Sequence, residues 1–187
     1  DTEIAEKILA GGAKILQLRG NGLSSKELLR QAREIGTITK KAGALFIVND
    51  RADIALLSNA DGVHLGQDDL PIAEARKILG KDRVIGISTH NIEQAVKAEQ
   101  EGADYIGFGP IFETKTKAAA EEAKGLQALL EVKKSVIIPV VAIGGINLEN
   151  VVDVISAGAD AVAVISAIVK ADDMEETTRR FQEAYKI

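Results

Sequence analysis

The sequence predicts an α/β protein with a parallel sheet, and among such folds it favours a (β/α)8 barrel. Short apolar runs alternate with segments of helical periodicity along the whole chain, and no shift in composition marks a linker. Glycine also recurs where a helix gives way to a strand, because it adopts the left-handed angles that end a helix. These turns read AGGAKI at 10–15, NADGVHL at 59–65, EGADYIG at 101–107 and AGADAVAV at 157–164.

The clearest unit is the stretch 138–168, which predicts a strand, a helix and a second strand. Its first apolar run ends at Gly144 and Gly145, and its second, 161–165, stops at Ser166. Neither run alternates apolar with polar residues, as expected for parallel strands that are covered on both faces. The carboxyl ends of both strands should therefore lie at the same edge of the sheet.

Seven strands are predicted from the apolar runs. They cover 13–19, 45–50, 62–66, 84–88, 105–109, 139–143 and 161–165. Eight helices are predicted from helical spacing of apolar residues. They cover 2–9, about 25–42, 51–58, 71–79, 91–101, 125–134, 148–157 and 174–185. Their starts carry the expected signals, with Ser24 or Ser25, Asn91 and Asn147 as caps and Pro71 in a first turn.

The predicted order begins with a helix, whereas a complete (β/α)8 chain begins with a strand. We therefore expect residues 1–187 to form one barrel domain that is amino-terminally incomplete. About ten more residues would supply the first strand, because an open barrel exposes two unpaired edges. A doubly wound open sheet is the alternative. Against it, the chain has Gly-Gly after a late strand rather than GxGxxG after the first.

Composition excludes several classes of partner. The 23 basic and 28 acidic residues are interspersed and give a net charge of −5, which is unlike a nucleic-acid or membrane-surface protein. There is no cysteine, so disulfides, thiolate metal sites and a cysteine nucleophile are excluded. No apolar run has the length of a membrane span. We expect a cytoplasmic protein that binds small molecules, and its oligomeric state stays open.

In a barrel the functional site lies at the carboxyl ends of the strands. Gln17 and Arg19 are two apart on a strand, so their side chains leave the same face. A buried guanidinium is costly without an anionic partner, which favours an anion site over an edge position or a structural ion pair. The polar residues at these ends include Gln17, Arg19, Asn49, Asp50, Asp69, Ser88, His90, Thr114, Thr116, Lys117, Gly145 and Ser166.

Two aspartates, Asp50 and Asp69, end successive strands. Hard oxygen donors on neighbouring strands suit Mg²⁺, which bridges carboxylates to substrate phosphates. The alternative is that Asp50 caps the helix at 51–58 and that Asp68 or Asp69 caps the helix at 71–79.

Backbone N–H groups near Gly145 and Ser166 can form a phosphate cradle of the kind built from the last two strand ends of a barrel. The alternative is a tight turn without a ligand. The long loop that contains Thr114, Thr116 and Lys117 can act as a lid with a cation for phosphate, or it is a solvated surface loop. His64 lies inside an apolar strand and is interpreted as a satisfied core residue.

In their order these motifs resemble those of the thiamine phosphate synthases. The matching segments are QLRGN at 17–21, IVND at 47–50, HLGQDD at 64–69, Ser88, TKTK at 114–117, AIGGI at 142–146 and AVISAI at 163–168. The resemblance implies a (β/α)8 barrel that couples 4-amino-2-methyl-5-pyrimidinylmethyl diphosphate to hydroxyethylthiazole phosphate. The products would be thiamine phosphate and pyrophosphate, with Mg²⁺ as cofactor.

The resemblance also implies a role for each matching residue. The pyrimidine diphosphate would contact Gln17, Arg19, Asn21, Asn49, Ser88 and Lys117, of which Arg19, Lys117 and Ser88 would be catalytic. Mg²⁺ would be held by Asp50 and Asp69. The thiazole phosphate would contact Thr114, Thr116, Gly145, Ile165 and Ser166.

One position departs from the family pattern, since Asn21 stands where the family has lysine. This change removes a cation aimed at the pyrophosphate, and it keeps a non-catalytic phosphate-binding barrel open as an alternative. The related thiazole tautomerases are a second alternative. Their catalytic histidine would fall at Pro110 here, and proline cannot transfer a proton.

Overall fold

The computed structural model describes residues 2–114 and 122–186. The strands are β1 Ile15–Leu18, β2 Leu45–Asn49, β3 Gly62–Leu65, β4 Val84–Thr89, β5 Tyr105–Phe108, β6 Val140–Ile143 and β7 Ala161–Ala163. The helices are α1 Thr2–Ala10, α2 Ser25–Lys41, α3 Ala52–Leu57, α4 Ile72–Leu79, α5 Ile92–Gln100, α6 Gly125–Ser135, α7 Val151–Ser156, α8 Ser166–Val169 and α9 Met174–Glu183, followed by a 3-10 turn, Ala184–Lys186. All predicted strands and helices are confirmed, and α8 is an additional short helix.

The strands form one parallel sheet in the order β1-β2-β3-β4-β5-β6-β7. Each neighbouring pair is also consecutive along the chain, and a helix lies between them. The doubly wound alternative is therefore wrong, since its strand order reverses at a switch point. The upstream strand expected from the sequence stays a prediction.

The two faces of the sheet differ in composition. One face carries large apolar side chains that pack on the helices, such as Phe46, Ile85 and Phe108, all at most 2% exposed. The pairing register places mainly small and polar residues, with a few aliphatic ones, on the opposite face, which we call the inner face. It includes Gln17, Ile47, Asn49, Gly62, His64, Gly86, Ser88, Tyr105, Gly107 and Val141.

Helix α7 begins three residues later than predicted because Asn147 forms a turn of its own. Its Oδ1 accepts the N–H groups of Glu149 at 2.8 Å and of Asn150 at 3.2 Å. Side-chain bonds of this kind compete with the first turn of a helix. The regular helix therefore starts at Val151.

Three aspartates form the same pair of hydrogen bonds at the amino-terminal edge of the sheet, an arrangement that we call the aspartate clamp. Asp61, Asp104 and Asp160 each precede a strand and accept the N–H group of the first or second residue of the preceding strand, at 2.7 Å in every case. The N–H of each aspartate is in turn donated to the carbonyl of that same strand residue. This edge therefore carries structural bonds, while those candidate site residues that the structure describes lie at the opposite edge.

We predict that the aspartate clamp at Asp160 makes a pH-dependent contribution to the free energy of unfolding. Burial would raise the pKa of Asp160, but hydrogen bonds from Lys133 and from the Val140 N–H lower it below its ordinary 3.8. Because the folded-state pKa is lowered, the stabilisation is present at neutral pH and is lost as the pH falls through that lowered value. We expect Asp160→Ala to reduce the free energy of unfolding by about 1 to 2 kcal/mol at pH 7.

Urea unfolding of wild type and Asp160→Ala at pH 7 and near pH 2.5 checks this prediction. The difference between the two proteins should shrink at the lower pH. Asp82→Ala, at an exposed aspartate in the turn before β4, is the control and should change stability by less than about 0.5 kcal/mol. An equal loss at both pH values would show that the ionised carboxylate is not responsible.

No helix within the described ranges combines the length and the apolar character that a membrane crossing requires.

Candidate active site

The polar residues predicted at strand ends, as far as the structure describes them, lie along one edge of the sheet. All seven strands are parallel, so their carboxyl ends share this edge, which we call the rim. The register also places Gln17, Asn49 and Ser88 on the inner face. The structure thus brings together side chains from β1, β2 and β4 that are far apart in sequence.

Arg19 follows β1, an edge strand of the described sheet, and is exposed at the rim, so the expected burial of its guanidinium inside a strand is wrong. Its Nε donates to the Asn21 Oδ1 over 3.4 Å, a long and weak bond. Within the described ranges Arg19 forms no ion pair with a carboxylate. Its charge is therefore not neutralised by the rest of the described protein, as an anion-binding role requires.

Neither candidate metal ligand caps a helix, so the capping alternative is wrong. The residue before α3 is Arg51 and the residue before α4 is Pro71, and neither start has a side-chain cap. Asp50 instead adopts a left-handed backbone, with φ of 63°, directly after β2. Asp69 accepts the Gly66 N–H at 2.6 Å through one carboxylate oxygen, Oδ2.

The carboxylates of Asp50 and Asp69 follow neighbouring paired strands at the rim. Among residues 2–114 and 122–186 no group of three or more histidine, aspartate or glutamate side chains could hold a metal ion. A cation at this rim would therefore depend on two carboxylates with water or ligand oxygens. Mg²⁺ is commonly bound in this way, since it keeps several waters.

Gly144 and Gly145 allow another segment to approach the end of β6. Both have positive φ, 97° and 67°. A Cβ atom on Gly145 would lie 2.6 Å from the Phe112 Cβ and 2.8 Å from the Glu113 carbonyl oxygen. The Phe112 N–H donates to the Gly144 carbonyl at 3.1 Å. The glycine pair therefore positions the start of the long loop after β5, a role that the sequence did not reveal.

The remaining predicted ligand contacts lie around this glycine pair. Ile165 and Ser166 follow β7, which pairs with β6, and both are exposed. Thr114 ends the segment that packs on Gly145 and is half-buried. Thr116 and Lys117 lie outside the described residues.

Three inner-face side chains form a hydrogen-bonded cluster, and two of them, His64 and Tyr105, were not predicted as site residues. His64 bonds to Tyr105 through Nδ1 and to Ser88 through Nε2, each at 2.9 Å. His64 is thus a satisfied buried residue, as predicted, but it contacts the candidate ligand residue Ser88. The signal in the sequence was glycine inside strands at Gly86 and Gly107, which marks a close approach by another group.

Gln67, in the turn after β3, also forms a hydrogen bond with Ser88. Its side-chain amide donates to the Ser88 carbonyl at 2.6 Å. This bond connects the Asp69 turn to the end of β4 across the rim.

Comparison with known proteins identifies relatives over most of the chain. A family model described as thiamine monophosphate synthase matches residues 1–168. The thiamine-phosphate synthase of Chloroflexus aurantiacus is 46% identical over 179 residues, which cover 96% of this chain and 82% of the relative. That of Methanocella arvoryzae is 49% identical over 180 residues, with 96% and 85% covered.

Solved structures agree with the sequence comparison. The thiamine phosphate pyrophosphorylase of Pyrococcus furiosus superposes with a TM-score of 0.92 at 38% identity, covering 100% of this chain and 89% of that one. A 3-hexulose-6-phosphate synthase reaches a TM-score of 0.74 at 17% identity and supports the fold alone. On the strength of the family match and the high identity to named synthases, the chain belongs to the thiamine monophosphate synthase family.

Proposed function

We propose that the chain couples 4-amino-2-methyl-5-pyrimidinylmethyl diphosphate to hydroxyethylthiazole phosphate and releases thiamine phosphate and pyrophosphate. The observation that supports this most strongly is the common rim. The motif residues among 2–114 and 122–186, some of which are separated by more than a hundred positions, lie at or after the carboxyl ends of parallel strands in one sheet. The names and identities of the relatives agree with this activity.

We propose that the pyrimidine diphosphate binds over β1, β2 and β4. Gln17 and Asn49 lie on the inner face there, and Ser88 can hydrogen-bond a heterocycle. Arg19, which has no carboxylate partner among the described residues, would bind the diphosphate, together with Lys117. The thiazole phosphate would bind near Gly145 and Ser166, where β6 and β7 end.

The carboxylates of Asp50 and Asp69 fit Mg²⁺ as a pair of hard oxygen donors that does not cap helices. Bound Mg²⁺ would supply positive charge to the departing pyrophosphate. We also propose that the sheet is part of a (β/α)8 barrel, because its parallel strands follow one another in chain order with a helix between each pair.

The reaction needs no protein nucleophile. The bond between the pyrimidinylmethyl carbon and the pyrophosphate oxygen breaks, and the electron pair leaves with the oxygen. The electron-rich pyrimidine stabilises the resulting cation, and the lone pair of the thiazole nitrogen forms the new carbon–nitrogen bond. Arg19 and Lys117 would stabilise the charge that develops on the leaving group, an effect that is often the largest in catalysis.

Incubating the protein with both substrates and Mg²⁺ tests the proposal. Formation of thiamine phosphate together with pyrophosphate is the expected result. Aromatisation of a thiazole carboxylate phosphate without thiamine phosphate would assign the chain to the tautomerases. Binding of both phosphorylated ligands without turnover would make it a non-catalytic barrel.

Asn21→Lys is expected to raise the rate of synthesis. A lysine at position 21 would restore a second cation beside Arg19, where the long bond to Asn21 is easily given up. We expect kcat/KM for the pyrimidine diphosphate to rise about tenfold, less than the 10²- to 10³-fold that one positioned charge-stabilising group can supply. Steady-state kinetics at fixed ionic strength measures this change.

Gln100→Lys is the matched control for Asn21→Lys. Gln100 is exposed at the end of α5, just before β5 begins. A lysine at this position therefore adds the same charge at the edge opposite the rim. We expect this variant to keep the wild-type kcat/KM. A similar gain in both variants would point to the overall charge instead of the position.

A further inference from the structure

A chain of hydrogen bonds crosses the inner face from the start of β5 to the rim. Tyr105 opens β5, His64 lies on β3 and Ser88 lies near the end of β4. The Tyr105 hydroxyl is 2.9 Å from the His64 Nδ1, and the His64 Nε2 is 2.9 Å from the Ser88 Oγ. His64 is only 9% exposed. The order Tyr105, His64, Ser88 therefore leads from the interior toward the ligand site.

Two glycines make room for the rings of this chain. A Cβ atom on Gly86 would lie 2.0 Å from the Tyr105 Cζ, and one on Gly107 would lie 3.0 Å from the His64 Cε1. The two rings pack against each other with centroids 5.4 Å apart. The inner face is thus shaped to hold both rings in these positions.

The hydrogen bonds that join Tyr105, His64 and Ser88 have a preferred direction of donation. Burial raises the pKa of Tyr105, so its phenol stays protonated and needs an acceptor. Among the described residues its hydroxyl has one polar side-chain partner, the His64 Nδ1. If Tyr105 donates to Nδ1, the neutral imidazole carries its proton on Nε2 and donates it to the Ser88 Oγ. The Ser88 hydroxyl then has its own hydrogen left for a ligand.

We propose that Tyr105 and His64 are positioning residues that make Ser88 a hydrogen-bond donor. The Ser88 hydrogen is then available for a ligand acceptor, such as an unprotonated ring nitrogen of the pyrimidine. This inference rests on the proposed function for the identity of the ligand. The Gln67 bond to the Ser88 carbonyl holds the backbone of the donor in place.

The histidine tautomer can be measured in the free protein, without any substrate. The chain has two histidines, and His90 serves as an internal reference. The His90 Nδ1 is 2.8 Å from the Gly109 carbonyl oxygen, which can only accept, so Nδ1 must carry its proton. Long-range ¹H–¹⁵N correlation spectra near pH 8.5, about two units above an ordinary histidine pKa, distinguish the two forms, and His90→Gln assigns the signals.

We expect His64 to be the Nε2–H tautomer, opposite to His90, and we expect Tyr105→Phe to reduce the Nε2–H fraction of His64. A His64 that is mainly Nδ1–H would overturn the proposal, because Ser88 would then donate to His64 and could not donate to a ligand. The His64 tautomer is measured without substrate, so the result tests the hydrogen-bond direction even if the chain proves to have another activity.

A kinetic experiment tests whether the Ser88 hydroxyl contacts the pyrimidine diphosphate. Tyr105→Phe should raise KM for the pyrimidine diphosphate about fivefold, leave KM for the thiazole phosphate unchanged, and leave Tm within about 2 °C. In a Ser88→Ala background the same substitution should have no further effect on KM. Equal effects of Tyr105→Phe with and without the Ser88 hydroxyl would reduce Tyr105 to a packing role and refute the positioning role.

Discussion

Asp50→Asn is expected to lower kcat/KM for synthesis by about 10²- to 10³-fold, the loss typical of one positioned charge-stabilising group. The substitution removes the carboxylate charge that would hold Mg²⁺ and keeps the shape of the side chain. Asparagine also tolerates the left-handed backbone at this position, where φ is 63°. Alanine would add backbone strain to the loss of charge, so asparagine is the cleaner variant. Initial rates across a series of Mg²⁺ concentrations measure the effect.

The control for Asp50→Asn lies three residues away. Asp53 forms an exposed ion pair with Arg51 at 2.6 Å and lies on α3, not at the end of a strand. Exposed pairs contribute about 0 to 1 kcal/mol, so Asp53→Asn should change stability slightly and leave the rate and its Mg²⁺ dependence unchanged. If Asp50→Asn kept the wild-type rate at low Mg²⁺, the aspartate would have no part in metal binding.

Gly145→Ala is expected to weaken binding of the thiazole phosphate and to destabilise the fold. An added Cβ cannot be accommodated 2.6 Å from the Phe112 Cβ, so the segment before Thr114 must move away from β6. Left-handed backbone angles add about 1 to 2 kcal/mol of strain for alanine. We expect KM for the thiazole phosphate to rise at least tenfold and Tm to fall by several degrees, as measured by kinetics and calorimetry.

Gly43→Ala separates the two causes. Gly43 has φ of 68°, nearly the 67° of Gly145, but a Cβ there would have no atom within 4 Å. This control should show the strain, as a fall in Tm of about 2 to 8 °C, with unchanged KM. The difference between the variants isolates the contact with Phe112 and Glu113. Equal losses of stability, with normal KM in both variants, would contradict a role of Gly145 in positioning the loop.

Much of the fold could be predicted because its signals are local. The apolar stretch 161–165 predicts a strand by its own composition, and Gly158 predicts the end of the preceding helix by its own freedom at positive φ. Alternation of such signals predicts a parallel sheet and, through it, a common edge for polar residues at strand ends. The predicted positions of Gln17, Asn49 and Ser88 on that edge followed from the same reasoning.

Errors in the prediction came from polar side chains near helix starts, because the residue type alone does not specify which backbone N–H group such a side chain accepts. Asp50 and Asp69 have the residue type and the spacing of helix caps, yet the helices begin at other residues. Residue type and spacing are the same in either case, so they could not distinguish a helix cap from an aspartate that follows a strand and caps no helix. Asn147 shows the same limit, because its side chain forms a turn that delays α7.

The sequence by itself determined the order of strands and helices, the parallel sheet and the edge at which polar residues gather, since these follow from periodicity along the chain. Only the tertiary structure decided which groups meet there. Tyr105, His64 and Ser88 become neighbours through the register of β3, β4 and β5, and Gly145 meets Phe112 through the path of a loop. Register and loop path depend on packing between distant segments, for which a single sequence carries no periodic signal.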